Sequence, residues 1–206
     1  REGARPISGD DGLPEIKALA EQGQFSEPQA RGELSHSDDK RAYIEHLLSY
    51  IDIGSLSPLK VVVNAGNGGA GSVVDLLEPH LPFEFIKVHH QPDGYFPNGI
   101  PNPLLEENRA ATADVVKREK ADLGIAWDGD FDRCFFFDSQ GIFVEGYYLV
   151  GLLSTAFLKK NGGGKVIHDP RLTWNTIELA EQCGGQAIQS KTGHSFIKQV
   201  MRDENA

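Results

Sequence analysis

Short apolar runs alternate with amphipathic segments along most of this chain, beginning at residue 59. Runs rich in β-branched and aromatic residues predict buried strands, whereas apolar residues that recur every three or four positions predict helices. The predicted strands are residues 60–64, 83–89, 122–127, 165–168 and 186–190, and the predicted helices are residues 72–77, 106–121, 147–160, 174–183 and 195–202. This alternation favours an α/β fold with parallel strand pairs and right-handed crossovers.

A predicted hairpin interrupts the alternation after the third strand. Residues 134–138 and 142–144 are largely apolar, and a Ser-Gln-Gly turn at 139–141 separates them, so they predict an antiparallel edge. The first sheet is therefore expected to be mixed but mainly parallel, with helices on its faces.

The composition of the chain divides it into three parts. Residues 1–35 are rich in Gly, Pro, Glu and Gln, and their weak periodicity at 16–20 predicts a connector with one short helix. Ser35 and Asp38 predict the cap and first turn of a helix that leads into the next part. We expect a first α/β unit over residues 36–145 and a second over 146–206, which ends before a complete sheet is predicted.

Three aspartates at alternate positions, Asp128, Asp130 and Asp132, follow the strand that ends at Trp127. Ionised carboxylates this close repel one another unless a cation lies among them, and a hard ion with oxygen ligands such as Mg²⁺ is the natural occupant. The planar guanidinium of Arg133 can donate two parallel hydrogen bonds to an oxyanion beside the metal. The pattern predicts one Mg²⁺ per chain and chemistry on a phosphoryl group.

Other interpretations of these aspartates remain open at this point. A solvated acidic turn that binds nothing also fits, because Asp and Gly are common turn residues. An EF-hand loop would need Gly at Arg133 and Glu at Ser139, so that interpretation fails twice. A haloacid-dehalogenase-like phosphatase also places Asp-x-Asp after a strand, but it usually has Thr or Val at the position of Asp132. A noncatalytic sugar-phosphate binding module is a third possibility.

A glycine-rich segment, Gly66-Asn-Gly-Gly-Ala-Gly71, matches the G-x-G-x-x-G pattern of dinucleotide-binding folds. Such a site also needs an acidic residue at the end of the next strand, and that strand instead ends in His89 and His90. We therefore interpret the glycines as a tight strand-to-helix turn and predict no nicotinamide cofactor.

The net charge of −10 and the pI near 5.1 argue against nucleic acid as a partner, since a phosphate backbone demands a basic surface. Cys134 and Cys183 have no C-x-x-C spacing, so neither a disulfide framework nor a zinc site is indicated. No apolar run has the length needed to cross a bilayer. We expect a cytoplasmic protein without a membrane partner.

The motifs carry a resemblance to a known family. The metal loop Asp128-Gly-Asp-Phe-Asp-Arg133 resembles that of the α-D-phosphohexomutases, the phosphomannomutase/phosphoglucomutase family. The loop Gln91-Pro-Asp-Gly-Tyr-Phe-Pro-Asn-Gly-Ile-Pro-Asn-Pro103 resembles a loop of that family's second domain, and Lys191-Thr-Gly-His194 resembles a substrate-facing loop of its third domain. Within the family, the chain is most similar to the bacterial phosphomannomutases of polysaccharide synthesis.

The resemblance implies an activity. Such isomerases interconvert mannose 6-phosphate and mannose 1-phosphate by intramolecular phosphotransfer, through a phosphoserine and a bisphosphorylated hexose. The aspartates would hold Mg²⁺ and Arg133 would position the phosphate. The resemblance also implies that Arg171, Lys191, Thr192, Gly193 and His194 bind the phosphosugar. From the residues alone, a surface arginine and a helix cap are the simpler interpretation, and relatives commonly have lysine at Arg171.

The resemblance further implies that this chain is an excerpt covering the second domain and most of the third. The serine loop of the family, which resembles Thr-Ala-Ser-His-Asn-Pro, does not occur in the sequence. We therefore predict that the chain alone is inactive. Finally, Trp127 and Trp174 each adjoin regular structure and are expected to pack, while Asp93, Asn98 and Asn102 are candidate helix caps.

Overall fold

The structure is a computed structural model that describes residues 7, 9–10, 12–23, 25, 30–37 and 40–206. The helices are α1 Leu13–Gln22, α2 Lys40–Leu48, α3 Ala70–Leu77, α4 Ala110–Glu119, α5 Gly146–Asn161, α6 Trp174–Gln182 and α7 His194–Asp203. The strands are β1 Lys60–Asn64, β2 Glu84–Val88, β3 Leu123–Trp127, β4 Cys134–Phe137, β5 Phe143–Val144, β6 Gly164–His168 and β7 Gly185–Gln189. The chain forms two compact units, one spanning His36–Gly146 and the other combining Arg1–Ser35 with Tyr147–Ala206.

The first unit contains a five-stranded sheet in the order β2-β1-β3-β4-β5. Strands β2, β1 and β3 run parallel, and β4 and β5 continue the sheet in antiparallel fashion. The predicted α/β class, the parallel pairs and the antiparallel hairpin are thus confirmed. Because β1 and β3 are adjacent and parallel, the loops after them meet at one edge of the sheet.

The core of the first unit lies on both faces of β1. Val62 packs with Val116 of α4 and Phe137 of β4 on one face, whereas Val61 and Val63 pack on the other face, where α3 contributes Val74. A continuous β-branched run buried on both faces is typical of a central parallel strand. The sheet therefore holds its carboxyl edge rigidly, and that edge carries the aspartates.

In the second unit, β6 and β7 pair in parallel, with Gly164 opposite Gly185 and His168 opposite Gln189. Helix α6 makes the crossover between them and buries Thr176 and Ala180. Leu158 of α5 is buried, and it contacts the backbone at Gly185 so closely that a Cβ there would lie 2.7 Å from the leucine side chain. The loops after β6 and β7 consequently lie side by side.

The helix that leads into the first unit begins later than the sequence predicts. His36 and Ser37 are not helical and α2 is described from Lys40 onward, so Ser35 is not its N-cap, and this prediction was wrong. Asp38, the second residue of the predicted cap, lies outside the described residues. Among the described residues of α2, Ile44 is the one that is buried, so it attaches the helix to the first unit.

Among the helices that the structure describes, none combines the length and the apolar character needed to cross a membrane.

Candidate functional site

The three aspartates form a cluster directly after β3. One carboxylate oxygen from each of Asp128, Asp130 and Asp132 lies within 4.8 Å of the others. Asp128 is buried, with 2% of its surface exposed, whereas Asp130 and Asp132 face solvent. The cluster is therefore anchored in the fold at one end and open to solvent at the other.

A tight turn brings these alternate side chains together. The backbone N–H of Phe131 donates to the Asp128 carbonyl at 3.1 Å, and the N–H of Arg133 donates to Asp128 Oδ1 at 3.2 Å. Phe131 has φ 46°, a left-handed conformation that is uncommon for a bulky residue and persists only where the surrounding structure enforces it. The chain thus curls around the buried Asp128 carboxylate.

Arg133 is the cation of this cluster. Its guanidinium forms an ion pair with Asp128 Oδ2, and its Nε donates to Asp132 Oδ1 at 3.2 Å. The Asp128 carboxylate, with a smaller effect from Asp132, raises the pKa of Arg133 above its ordinary value.

The donor set fits a hard divalent cation such as Mg²⁺. All three potential ligands are carboxylate oxygens, and the buried Asp128 Oδ2 is paired with the Arg133 guanidinium. One arginine balances only part of the charge of three carboxylates. A divalent ion would complete the neutralisation, in partial competition with Arg133 for the same oxygens.

The glycine-rich segment supports the aspartate loop. A Cβ on Gly68 would lie 2.3 Å from the Gly129 carbonyl oxygen, and one on Gly69 would lie 2.6 Å from the Phe131 ring. The Gly69 N–H donates to that same Gly129 carbonyl at 3.1 Å. These glycines allow the backbones of the loops after β1 and β3 to approach each other closely. The sequence pattern alone did not reveal this role.

We expect Gly68→Ala to displace the aspartate loop. Overpacking against backbone atoms, which cannot rotate away, typically costs about 1–3 kcal/mol. Thermal unfolding should show a lower midpoint, and calorimetric titration should show weaker Mn²⁺ binding. Gly94→Ala is the matched control, because a Cβ there meets nothing within 4 Å. Equal effects of the two substitutions would contradict the proposed support of the loop by Gly68.

The proline-containing loop between β2 and α4 is stabilised by hydrogen bonds within the loop and to the glycine segment. Asp93 Oδ1 accepts from the Tyr95 N–H at 2.9 Å, and Asn98 donates to Asn67 Oδ1 at 2.8 Å. Asn102 Oδ1 accepts from the Leu104 N–H at 3.3 Å. These polar residues therefore fix turns and bridge loops, and the interpretation of them as helix caps was wrong.

In the second unit, one buried carboxylate joins the two loops predicted to bind substrate. Asp169 accepts hydrogen bonds from Arg171 Nε at 2.8 Å, from Arg171 Nη2 at 3.0 Å and from the Arg171 backbone N–H at 2.9 Å. The Thr192 side chain lies close enough to the same carboxylate to help lower its pKa. The Arg171 contacts, followed by the Thr192 contact, hold the pKa of Asp169 well below its usual range. Arg171 and Thr192, far apart in sequence, are thereby brought together.

The remaining residues of the second loop are exposed. Gly193 precedes the first residue of α7 with φ 122°, and no side chain caps that helix, so Thr192 is not a helix cap. His194 Nε2 lies 3.3 Å from Ser195 Oγ, and Lys191 Nζ lies 5.1 Å above the Phe196 ring. The structure thus places Lys191 and His194 on one solvent-facing turn, without a described contact to Asp169.

The two tryptophans differ from each other. Trp127 packs against the cluster formed by Val61, Val63 and Val74, as expected. Trp174, at the first residue of α6, is 90% exposed, so the prediction that it packs was wrong. Trp174 is the first residue of α6, whereas the buried side chains of that helix, Thr176 and Ala180, follow it. The helical pattern alone does not predict that Trp174 is exposed.

Comparison with known proteins places the chain in a family. Residues 41–141 match the profile described as phosphoglucomutase/phosphomannomutase, alpha/beta/alpha domain II, and residues 145–206 match that of domain III. A relative from Xanthomonas campestris named "Phosphohexose mutases" is 65% identical over the whole chain, which covers 46% of that relative. A protein from Escherichia coli named phosphomannomutase is 56% identical over the whole chain, which covers 47% of it.

The fold agrees with solved structures. A phosphoglucomutase/phosphomannomutase family protein from Burkholderia thailandensis superposes with a TM-score of 0.88 at 30% identity, over 97% of this chain and 43% of that one. The chain spans about half the length of the curated relatives that it matches. The two profile matches, the relatives and the superposition agree, and the chain belongs to the phosphoglucomutase/phosphomannomutase family, matching its domains II and III.

Proposed function

We propose that this chain supplies the metal-binding and substrate-facing domains of a phosphomannomutase that interconverts mannose 6-phosphate and mannose 1-phosphate. The observation that carries the proposal is the cluster of Asp128, Asp130, Asp132 and Arg133 at the carboxyl end of β3, which pairs in parallel with β1. Relatives named phosphomannomutase that share more than half of its residues support the mannose assignment. We further propose that the enzyme works in the cytoplasm.

In this proposal, the aspartates hold one Mg²⁺, which supplies neutralisation of the charge that develops on a transferring phosphoryl group. Arg133 provides a charge-assisted donor at the same place, and its contacts to Asp128 and Asp132 fix its direction before substrate arrives. A preoriented donor needs no rearrangement during the reaction. The covalent carrier would be a phosphoserine on another domain of the enzyme.

The loops of the second unit would bind the sugar phosphate. Arg171 presents a guanidinium whose Nε and Nη2 are fixed by Asp169, and the described residues offer no partner to its Nη1. That edge is free for a phosphate oxygen. Thr192 lies near the same carboxylate, and Lys191 and His194 belong to its loop.

The test compares this chain with the four-domain enzyme, meaning the same sequence together with the remaining family domains. In a coupled assay of mannose 1-phosphate with a hexose bisphosphate primer, we expect Mg²⁺-dependent turnover by the four-domain enzyme. We expect none by the 206-residue chain, because a phosphoryl group cannot shuttle without its nucleophilic carrier. Full activity of the chain alone would contradict the proposal. Release of free phosphate that disappears with Asp128→Asn would favour a phosphatase instead.

We expect Asp169→Asn to change both acid stability and substrate affinity. The pKa of Asp169 is lower in the folded than in the unfolded state, so the folded chain binds fewer protons. Its contribution to stability is therefore present above about pH 4, the ordinary range of an aspartate, and is lost as the pH falls through the depressed value. The variant should flatten the dependence of the unfolding midpoint on pH between about 5 and 2.

In the four-domain enzyme, Asp169→Asn should raise KM for mannose 1-phosphate, on the order of tenfold, because Arg171 loses the partner that fixes it. Asp138→Asn, which removes a carboxylate that accepts from two turn N–H groups of the first unit, is the control. An unchanged KM together with an unchanged pH slope would remove Asp169 from the proposed role.

A further inference from the structure

Trp174 lies in a cleft next to Arg171, at the proposed sugar-phosphate site. Its indole is 90% exposed although tryptophan carries a large apolar surface that proteins usually bury. It lies at the start of α6, three residues after Arg171, at the carboxyl edge of β6 and β7. A tryptophan left in solvent beside a fixed cation is in a favourable position to contact a ligand.

The indole forms one wall of a cleft of about 710 Å³. Tyr147 provides a second aromatic wall, and Arg171, Asn175 and Glu178 provide polar groups. The volume lies within the range typical of small-molecule sites, and so does the combination of aromatic walls with a few polar side chains.

The cleft is formed before any ligand binds, because α5 and α6 are locked together beneath it. Asn175 Nδ2 donates to the Tyr147 carbonyl at 2.9 Å. A Cβ on Gly151 of α5 would lie 2.1 Å from that same amide nitrogen, so only glycine allows this approach. The Tyr147 ring packs on Tyr148, with centroids 4.1 Å apart. The aromatic and amide walls thus need little reorganisation on binding.

Charge divides the cleft into two ends. Arg171 offers its free guanidinium edge, and the N-terminus of α6 adds a favourable field for an anion at the same end. Glu178 lies one helical turn further along α6, where its Oε1 accepts from Gln182 Nε2 at 3.1 Å. That carboxylate disfavours a second phosphate but can accept hydroxyl hydrogens. The chemistry matches a ligand with one phosphate and several hydroxyls.

We infer that the cleft binds the hexose phosphate, with the phosphate on Arg171 and the apolar face of the sugar ring against Trp174. The inference rests on the proposed function and deepens it by assigning an affinity-determining residue. Trp174 contacts the sugar ring. Glu178 and the side-chain oxygen of Asn175 accept hydrogen bonds from the sugar hydroxyls.

The first test follows tryptophan fluorescence of the 206-residue chain during titration with mannose 1-phosphate. We expect a saturable blue shift, because the exposed indole loses water, and we expect it to disappear in Trp174→Phe and to weaken in Arg171→Ala. Inorganic phosphate and mannose, each alone, should produce a much smaller change. Phe157→Ala, which removes another exposed aromatic ring that does not line the cleft, should keep the full response.

The second test measures kinetics of the four-domain enzyme. Trp174→Ala should raise KM for mannose 1-phosphate roughly tenfold while kcat changes less than about twofold, since a contact made equally in ground and transition states affects binding alone. Trp174→Phe should recover most of the affinity. Phe157→Ala should leave both constants unchanged.

Three results would overturn the inference. The first is the absence of any Trp174-dependent fluorescence change up to about 50 mM ligand, well above the usual range of KM values. The second is an unchanged KM for Trp174→Ala, and the third is a buried-type Trp174 emission in the ligand-free four-domain enzyme. None of these three results contradicts the proposed function if the wild-type enzyme is an active mutase. Lack of mutase activity in the wild type would instead remove the proposed function.

Discussion

Replacing Arg133 by alanine in the four-domain enzyme is expected to lower mutase turnover about a hundredfold or more. This is the scale observed when one preoriented donor to a developing oxyanion is lost. The guanidinium is held by both Asp128 and Asp132, so it is directed before substrate arrives and its removal leaves no neighbouring cation in the loop. Steady-state kinetics with mannose 1-phosphate at saturating Mg²⁺ provide the measurement.

The same substitution should not weaken metal binding. Arg133 occupies carboxylate oxygens that a metal would use, so its removal should leave the Mg²⁺ affinity of the chain unchanged or raise it a few-fold. Arg133→Lys keeps the charge but loses the planar guanidinium, and we expect it to restore only part of the turnover that Arg133→Ala loses. A fully active Arg133→Ala enzyme would exclude this residue from the mechanism. A large loss of metal affinity would show that it acts through the metal site instead.

The 206-residue chain should bind one divalent ion weakly through its aspartates. Three oxygens within 4.8 Å of one another, one on a buried carboxylate, provide a partial coordination shell that water would complete. Calorimetric titration with Mg²⁺ or Mn²⁺ should give saturable heats with a stoichiometry near one. The double variant Asp130→Asn, Asp132→Asn should abolish them, since two of the three ligands lose their charge.

A charge-matched control separates this local effect from the net charge of the protein. Asp114→Asn with Glu106→Gln removes two exposed carboxylates of the same unit that do not belong to the cluster. Its heats should match those of the wild type. Equal heats from the wild type and the Asp130, Asp132 double variant would show that the aspartates form an ordinary acidic turn.

The sequence by itself determined the architecture of the first unit. The β-branched run of β1 is buried on both faces, and the turn at 139–141 joins the two antiparallel strands. Both patterns are local, and both report which backbone conformation buries the most apolar surface. The cluster of the three aspartates could also be predicted from their spacing, because a few consecutive residues after a strand determine it.

Local patterns failed where a distant contact decided the outcome. Ser35 does not cap α2, since His36 and Ser37 after it are not helical, whereas Ile44 of that helix is buried. The glycine segment resembled a dinucleotide motif in sequence, but Gly68 faces the backbone of Gly129, sixty-one positions later. No pattern within the segment can encode that partner.

Tertiary structure alone joined Arg171 to Thr192 and exposed Trp174. The first depends on Asp169, whose carboxylate reaches both loops only because β6 and β7 lie side by side. The second depends on which side of α6 the unit covers. Sequence periodicity reports the preferred face of an isolated element, whereas the partners of a side chain beyond that element are fixed by how the elements pack.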